Sequence, residues 1–470
     1  MRIRPKIGIL FLTSGWFRDV GLQVATSPLT RQVEGVAAEV VEKLSSYIDI
    51  VYSGVVYSIS SACKAGELFR YSNVDGVLLS PLVWCEDQIL IAALKELTKI
   101  PVILCTLFPY STLNNKISFQ EMLKGSSSVA SLQMSGFLQR EGYQYVSIFG
   151  YYKSDDLYAE ILDHCKAFAI KRRLKHTKCG VLPFRCDQMT VTYVDEFVLR
   201  RIYGVELTYL ELARMREEAC GITQDEIQRF KKLLQDEEYE IGVDEKNLTE
   251  GIRYAIAMEK IITEYGLSML AMNDVTVEMH QAFGLRPCLT NPRLTRAGIV
   301  VAMEADVSAC VAMHILLLFT GESPFYTEIF TADLKKNALL MGHAGYHDPT
   351  SRDKAYPLQI IHDVEYENSD HFKGACTYFK YKPGPVTVVN SIYNGKKFQW
   401  TVFEGMSLEG PPVLEGNCHL FCNVDIQLKR FYGQVIERGV SQHWIVIPGI
   451  HKEGIKKLCR WLNIDFTLIT

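Results

Sequence analysis

Four ionisable residues stand out in this 470-residue chain because each ends or interrupts an apolar, aromatic or glycine-rich stretch. Glu304 follows Gly298-Ile299-Val300-Val301-Ala302-Met303, a run that reads as a buried strand, and Asp306 comes two residues later. Glu328 lies in the aromatic segment Pro324-Phe325-Tyr326-Thr327-Glu328-Ile329-Phe330. His343 sits between glycines in Gly342-His343-Ala344-Gly345, and His443 precedes Trp444-Ile445-Val446-Ile447. A buried carboxylate is costly unless it is paired or holds a cation, and open α/β sheets place ligands at the carboxyl ends of their strands. Cation binding is therefore one chemistry such residues could perform. Taken singly, a Glu before a helix is also an ordinary cap or ion-pair partner, and a His beside glycines an ordinary turn residue. Composition alone does not join the four into one site.

The chain as a whole bounds the alternatives. Apolar residues make up 48% and charged residues 22%, as in a globular protein, and the length suggests two to four domains. A net charge of −4 offers no basic face, so no nucleic-acid partner is expected. The single basic run, Lys171-Arg172-Arg173-Leu174-Lys175, reads as a solvated helix end and linker. Thirteen cysteines, none spaced as CxxC and many in apolar runs such as that around Cys105, suggest free thiols in a reducing compartment. Lys6 to Thr13 reads as a buried strand rather than an export signal. No run reaches the ~18 to 20 apolar residues that span a bilayer; 297–319 comes closest and is interrupted by Glu304, Asp306 and His314. A cytoplasmic protein with no membrane partner is expected.

The elements that must position these residues follow from periodicity. Strand-like runs at 7–12, 48–56, 76–79, 102–106 and 145–149 alternate with amphipathic helical patterns at 32–46, 87–97 and 155–168. A second such block comprises a strand at 180–184, a charged helix-rich stretch over 206–238, a helix at 247–265 and strands at 267–271 and 298–303. A helix over 306–319 then has Asp306 near its start. After Pro324 come short β-rich runs at 386–389, 398–403, 419–424 and 444–447, separated by Gly/Pro/Asn turns, and helix returns only at 453–462. The expected fold is α/β: two Rossmann/flavodoxin-like parallel-sheet domains, 1–168 and 169–322, followed by a C-terminal antiparallel β-barrel-like domain, 323–470. Glu304 belongs to the second domain, and Glu328, His343 and His443 to the third.

The segment from Pro287-Cys288-Leu289-Thr290 through Arg293-Leu294-Thr295 to Glu304-Ala305-Asp306-Val307 resembles the signature of the L-fucose/L-arabinose isomerase superfamily around its first metal-binding acid. The likeness covers nearly the whole chain. Glu328 resembles that family's second carboxylate, which follows a Phe, and His343 matches its Gly-His turn. The second His of its C-terminal Thr-His-His segment falls on His443, with Gln442 in place of the first. The resemblance implies a metal held by Glu304, Glu328, His343 and His443. Two Glu and two neutral His suit Mn2+, with Co2+ or Mg2+ as alternatives. It implies an intramolecular oxidoreductase that interconverts an aldose and its ketose through a metal-stabilised cis-enediol, with Glu304 and Glu328 as acid/base groups. It further implies a small-molecule sugar substrate and a homotrimer or homohexamer with active sites at subunit interfaces.

Substrate contacts are expected from several further residues. Trp84 resembles a family aromatic that caps the sugar from a neighbouring subunit, and Gln133 matches a family Gln, although Gly136 stands where the family has His. Met189 belongs to a similar segment, Arg185-Cys186-Asp187-Gln188-Met189. Trp16 and Arg18 follow the first strand, and Asn273 follows Leu270-Ala271-Met272. His347 is the rival to His343 as a ligand, and Asp306 is expected to cap its helix or orient Glu304. The departures at Gln442 and Gly136 leave the sugar open, an anionic hexose such as a sulfonated sugar being one alternative. A non-catalytic sugar-binding protein is another, and no HExxH, P-loop or GxSxG supports a different enzyme.

Overall fold

The computed structural model describes residues 3–17, 28–97, 99–369 and 371–470, which fall into two compact units, Ile3–Arg172 and Arg173–Thr470. The first holds a parallel sheet of β1 (Lys6–Leu12), β2 (Asp49–Val51), β3 (Gly76–Pro81), β4 (Val102–Phe108) and β5 (Tyr145–Tyr151) in the order β2-β1-β3-β4-β5. The central strand β3 is buried at every position, as expected where helices cover both faces. At the edge, β5 alternates buried Val146 and Ile148 with exposed Ser147 and Phe149. The strand expected over 48–56 is shorter: β2 ends at Val51, and Val56 returns only as an isolated bridge to Leu12. Gly54, at φ +95°, interrupts the extended run between them. The basic run closes the helix Asp155–Leu174, where Lys171 donates to Gln144 at 2.7 Å and Arg172 pairs with Asp75 at 3.3 Å.

The second unit begins with another parallel sheet. Its strands β6 (Lys178–Leu182) and β7 (Glu206–Tyr209) precede β8 (Tyr239–Ile241), β9 (Met269–Met272) and β10 (Val300–Ala302), and the sheet order is β10-β9-β6-β7. The stretch read as helix-rich from 206 thus opens with a strand. Glu206 to Tyr209 pair in parallel with Lys178 to Val181, a long-range partnership that local charge does not report. The short β8 leaves this sheet and pairs with β13 (Leu358–Ile361), after β11 (Phe325–Asp333) and β12 (Ala338–His343) have started the C-terminal sheet. β14 (Cys376–Tyr378) completes the three-stranded sheet with β13 and β8.

The C-terminal strands continue with β15 (Gly384–Tyr393), β16 (Phe398–Ser407), β17 (Cys418–Val424), β18 (His443–Pro448) and β19 (Asp465–Leu468). Their order, β15-β18-β11-β12-β17-β16-β19, with β15 also paired to β16, closes six antiparallel strands into a ring flanked by β19. Closure leaves the ring without a free edge. Helix returns earlier than expected, at Leu428–Arg438, a short charged helix whose buried stripe is Leu428, Phe431 and Val435. Among the described residues no helix is long and apolar enough to cross a membrane.

One helix joins the two sheets of this unit. Val307–Thr320 is buried on almost every side because it packs against β6, β9 and β10 of the parallel sheet and against β15 and β18 of the ring. Asp306 caps it, its Oδ1 accepting the Ala309 N–H at 2.9 Å. His314 on this helix is 6% exposed, and neither ring nitrogen has a hydrogen-bond partner among the described residues. Burial, aided by the Arg173 charge, pushes its pKa down to about 4. An unfolded His takes up its proton near ~6.5, whereas the folded one resists until near 4, so stability falls as pH drops through that window. The loss at pH 5 is expected to be ~1–2 kcal/mol. His314→Leu should flatten the dependence of urea-unfolding free energy between pH 7 and 5, and an unchanged slope would refute this assignment.

Candidate metal centre

Glu304 follows β10 by two residues, where the chain leaves the parallel sheet through an unusual turn. Glu304 (φ +57°) and Ala305 (φ +49°) are both left-handed, a conformation that costs energy in residues with a Cβ. The end of β9 holds this turn: Asp274 Oδ1 accepts the Glu304 N–H at 2.7 Å, and Met272 O accepts the Ala305 N–H at 2.9 Å. The other three residues come from the ring. In the register of β11, Glu328 lies opposite His443 on β18 and opposite Gly342 on β12, one residue before His343. Gly342 is required by close approach, since a Cβ there would lie 2.5 Å from the Cys418 carbonyl oxygen.

The structure brings these four together. One ligand-type atom from each of Glu304, Glu328, His343 and His443 lies within 4.8 Å of all the others. His443 Nε2 is 2.7 Å from Glu304 Oε2 and 3.9 Å from Glu328 Oε1, and its Nδ1 donates to Asp306 Oδ2 at 2.8 Å. His343 Nδ1 lies 2.5 Å from the Ala344 carbonyl, which leaves Nε2 facing Glu304 Oε1 at 3.8 Å. Among the described residues that buried Nε2 has no hydrogen-bond partner. An orphaned imidazole nitrogen beside two carboxylates and a second imidazole fits a divalent cation. Asp306, expected to cap its helix or orient Glu304, caps the helix and binds His443.

The electrostatics sort the groups. Burial opposes charge on His443, but hydrogen bonds to Asp306 and Glu304 and the charges of both outweigh it and raise its pKa to about 10. For Glu304 burial is the largest influence and acts upward, but the His443 hydrogen bond, the charges of His343 and His443 and a Gln442 hydrogen bond together outweigh it, so this carboxyl is lowered. Burial and then the Glu304 charge push Glu328 up to about 7. Burial takes His343 down to about 3, leaving it neutral. The cluster therefore pairs one firmly ionised carboxylate with another poised near neutrality.

The remaining predicted residues divide by location. His347 stays out of the cluster, its Nε2 2.9 Å from the His343 carbonyl oxygen and its ring against Phe325. Met189 accepts a hydrogen bond on its sulfur from Gln442 at 3.0 Å, which ties a family-like residue to a departure from the family. Asn273 is buried beside Asp274, donating to Arg185 O at 3.1 Å, while its own Oδ1 lacks a partner among the described residues. In the first unit, Trp84 Nε1 donates to Gln133 Oε1 at 3.1 Å. Trp16 is 55% exposed in the helical turn that follows β1, and Ser14 just before that turn donates its backbone N–H to Trp84 O at 3.3 Å. Arg18 lies outside the described residues.

Sequence reading passed over Asp274, Arg286 and Asp363. Arg286 binds Asp363 through two parallel contacts, 2.8 and 2.7 Å, and Asp274 at 3.2 Å. A signal existed for Asp274, an acid directly after an apolar strand as Glu304 is, but none marked Arg286. A cavity of about 490 Å³ opens beside them, lined also by Thr276, His280, Glu365 and Tyr366. Cys288, Cys376 and Asp363 form a second group of ligand-type atoms. There Arg286 already occupies both Asp363 oxygens, and burial drives the Cys288 thiol well above its ordinary pKa, so the group reads as packing.

No protein-family model matches the chain. Two relatives resemble it, each named sulfoquinovose isomerase, from Priestia aryabhattai and Priestia megaterium. Each is 20% identical over 429 residues, covering 87% of this chain and 89% of the relative. Among solved structures, the periplasmic sugar-binding protein of an ABC sugar transporter from Legionella pneumophila covers 67% of this chain and 95% of its own. Its identity is 12% and its TM-score 0.17, too low to bear on the fold. The likeness that extends along most of the chain is thus to two proteins named as isomerases of a sugar.

Proposed function

We propose that the chain is a divalent-metal-dependent aldose–ketose isomerase whose metal is held by Glu304, Glu328, His343 and His443. The observation that carries this reading is the meeting of those four side chains around a buried, unpartnered imidazole nitrogen. The two relatives, matched along most of their length, support sugar isomerisation as the reaction class. The donor set suits Mn2+, with Co2+ or Mg2+ as alternatives. A cation bound there supplies polarisation of the sugar carbonyl O1 and the neighbouring O2.

The protein's own groups then handle protons. Glu304 and Glu328 are the acid/base pair of this reading, one moving the proton between C2 and C1 and the other serving the sugar oxygens. Asp306 holds the Nδ1 proton of His443, so that a cation binding at Nε2 would displace only the proton shared there with Glu304. Met189, Gln442 and Asn273 are proposed to contact the sugar, as are Trp84, Gln133 and Trp16 from the first unit, in a cytoplasmic homotrimer or homohexamer. Replacing Asp306 by Ala is expected to weaken Mn2+ binding ~10–100-fold by calorimetry, as loss of a carboxylate behind a ligand His does elsewhere. Unaltered affinity would argue against this role.

The relatives' shared name supports a narrower second reading, in which the sugar is a sulfonated hexose. Both readings are tested by metal analysis of the purified chain and an aldose–ketose assay over neutral aldoses and sulfoquinovose. One bound divalent ion per chain with interconversion of any of these sugars is expected. A metal-free chain that converts none of them overturns the proposal.

A further inference from the structure

We propose that Asp274 and Arg286 are positioning residues that lock the backbone of Glu304 in the left-handed turn from which its carboxylate reaches the cluster. This rests on the reading of Glu304 as a metal ligand and extends it to residues outside the four-residue cluster.

Two successive residues with Cβ atoms occupy the left-handed region at the end of β10, which a free chain would leave. The Glu304 N–H is satisfied by one acceptor, Asp274 Oδ1 at 2.7 Å. Asp274 is itself buried and could swing away, but its other oxygen faces Arg286 Nη1 at 3.2 Å. Arg286 cannot follow such a swing. Asp363 grips it at Nε and Nη2, 2.8 and 2.7 Å, and Glu365 meets Nη1 at 2.9 Å. Asp363 in turn accepts the Glu365 N–H at 3.1 Å, which fixes the far end of the chain of contacts to the backbone. The sequence of contacts therefore runs from a fixed carboxylate through a rigid guanidinium fork to Asp274 and the peptide of Glu304. Without Asp274 the Glu304 N–H would be buried and unsatisfied, and the turn would relax toward negative φ, rotating the carboxylate away from His443.

Ala305 offers a partial control, because Gly removes the cost of its φ of +49° while the left-handed φ of Glu304 still leans on Asp274. The test compares the full chain with Asp274→Asn, Asp274→Ala and Asp274→Ala combined with Ala305→Gly. Hydrogen exchange of the metal-free protein is read by mass spectrometry on the peptide spanning Glu304 and Ala305, and Mn2+ binding by calorimetry. Asp274→Ala is expected to speed exchange of that peptide and to weaken Mn2+ binding ~10–100-fold. Asp274→Asn, which keeps an acceptor oxygen, should fall between it and the parent, and carries the test if the Ala variant does not fold. Adding Ala305→Gly should recover part of the lost affinity, since one of the two strained residues is relieved. Parental exchange and affinity in both Asp274 variants would overturn the proposal, as would a natively folded double variant no better than Asp274→Ala. If the parent binds no divalent ion while the exchange differences persist, the metal reading fails and the backbone lock stands.

Discussion

Glu304→Gln is expected to abolish tight Mn2+ binding and to lower kcat by on the order of 10²–10⁴-fold, the range for loss of a positioned acid/base group. Gln is close to Glu in size, so packing is preserved and the comparison isolates charge. Its side-chain oxygen can still accept from His443, whose Nε2 lies 2.7 Å from the native carboxylate. It cannot supply the ionised oxygen that faces His343 Nε2 at 3.8 Å. The variant should therefore unfold close to the parental Tm in the absence of metal, yet lose the rise in Tm that Mn2+ gives the parent. Metal content, thermal shift and turnover together separate this outcome from misfolding. A Glu304→Gln variant with parental metal content and turnover would sink the assignment.

The largest effect on stability is expected at Arg286. Its guanidinium is 3% exposed and sits between Asp274 and Asp363, whose side chains are 0% and 2% exposed. Arg286→Ala strands both carboxylates in the interior, and breaking a buried ion pair from one side costs ~3–5 kcal/mol. Arg286→Met, which retains most of the volume, should lose nearly as much, because the deficit arises from unpaired charge rather than from a void. The pH dependence has a definite sign. Burial already raises the Asp274 pKa and Arg286 pulls it back down; without Arg286 it rises further, so proton uptake relieves the buried charge. The deficit in urea-unfolding free energy should therefore shrink as pH falls from 7 toward 5. A loss below ~1 kcal/mol in both variants would contradict the buried-pair argument.

Much of the scaffold was legible from local pattern. Continuous apolar runs marked β1, β3 and β4 because strands covered on both faces have no polar side to show. Asp306 before an apolar stretch marked a helix start, and its side chain does cap Val307–Thr320. Patterns weakened where burial was partial or the element short. β7 has only partly buried or exposed residues, and the helix Leu428–Arg438 carries its apolar stripe on three residues among charges. β11 and β12 were not read as strands, although they carry Glu328 and His343.

The residues themselves, two acids and two imidazoles set against apolar or glycine-rich surroundings, were determined by the sequence alone, as was the alternation of strands and helices that builds the parallel sheets. Their meeting was implied by the resemblance and not by any local pattern. Glu304 and His443 are 139 positions apart, and no periodicity of either neighbourhood encodes the other. Tertiary structure decided it through three long-range facts: the antiparallel register that sets Glu328 opposite His443, the β15–β16 pairing that closes the ring, and the buried helix that presses ring and sheet together. The same holds for the Arg286–Asp274 contact behind Glu304, since ion pairing depends on separation in space, which only packing specifies.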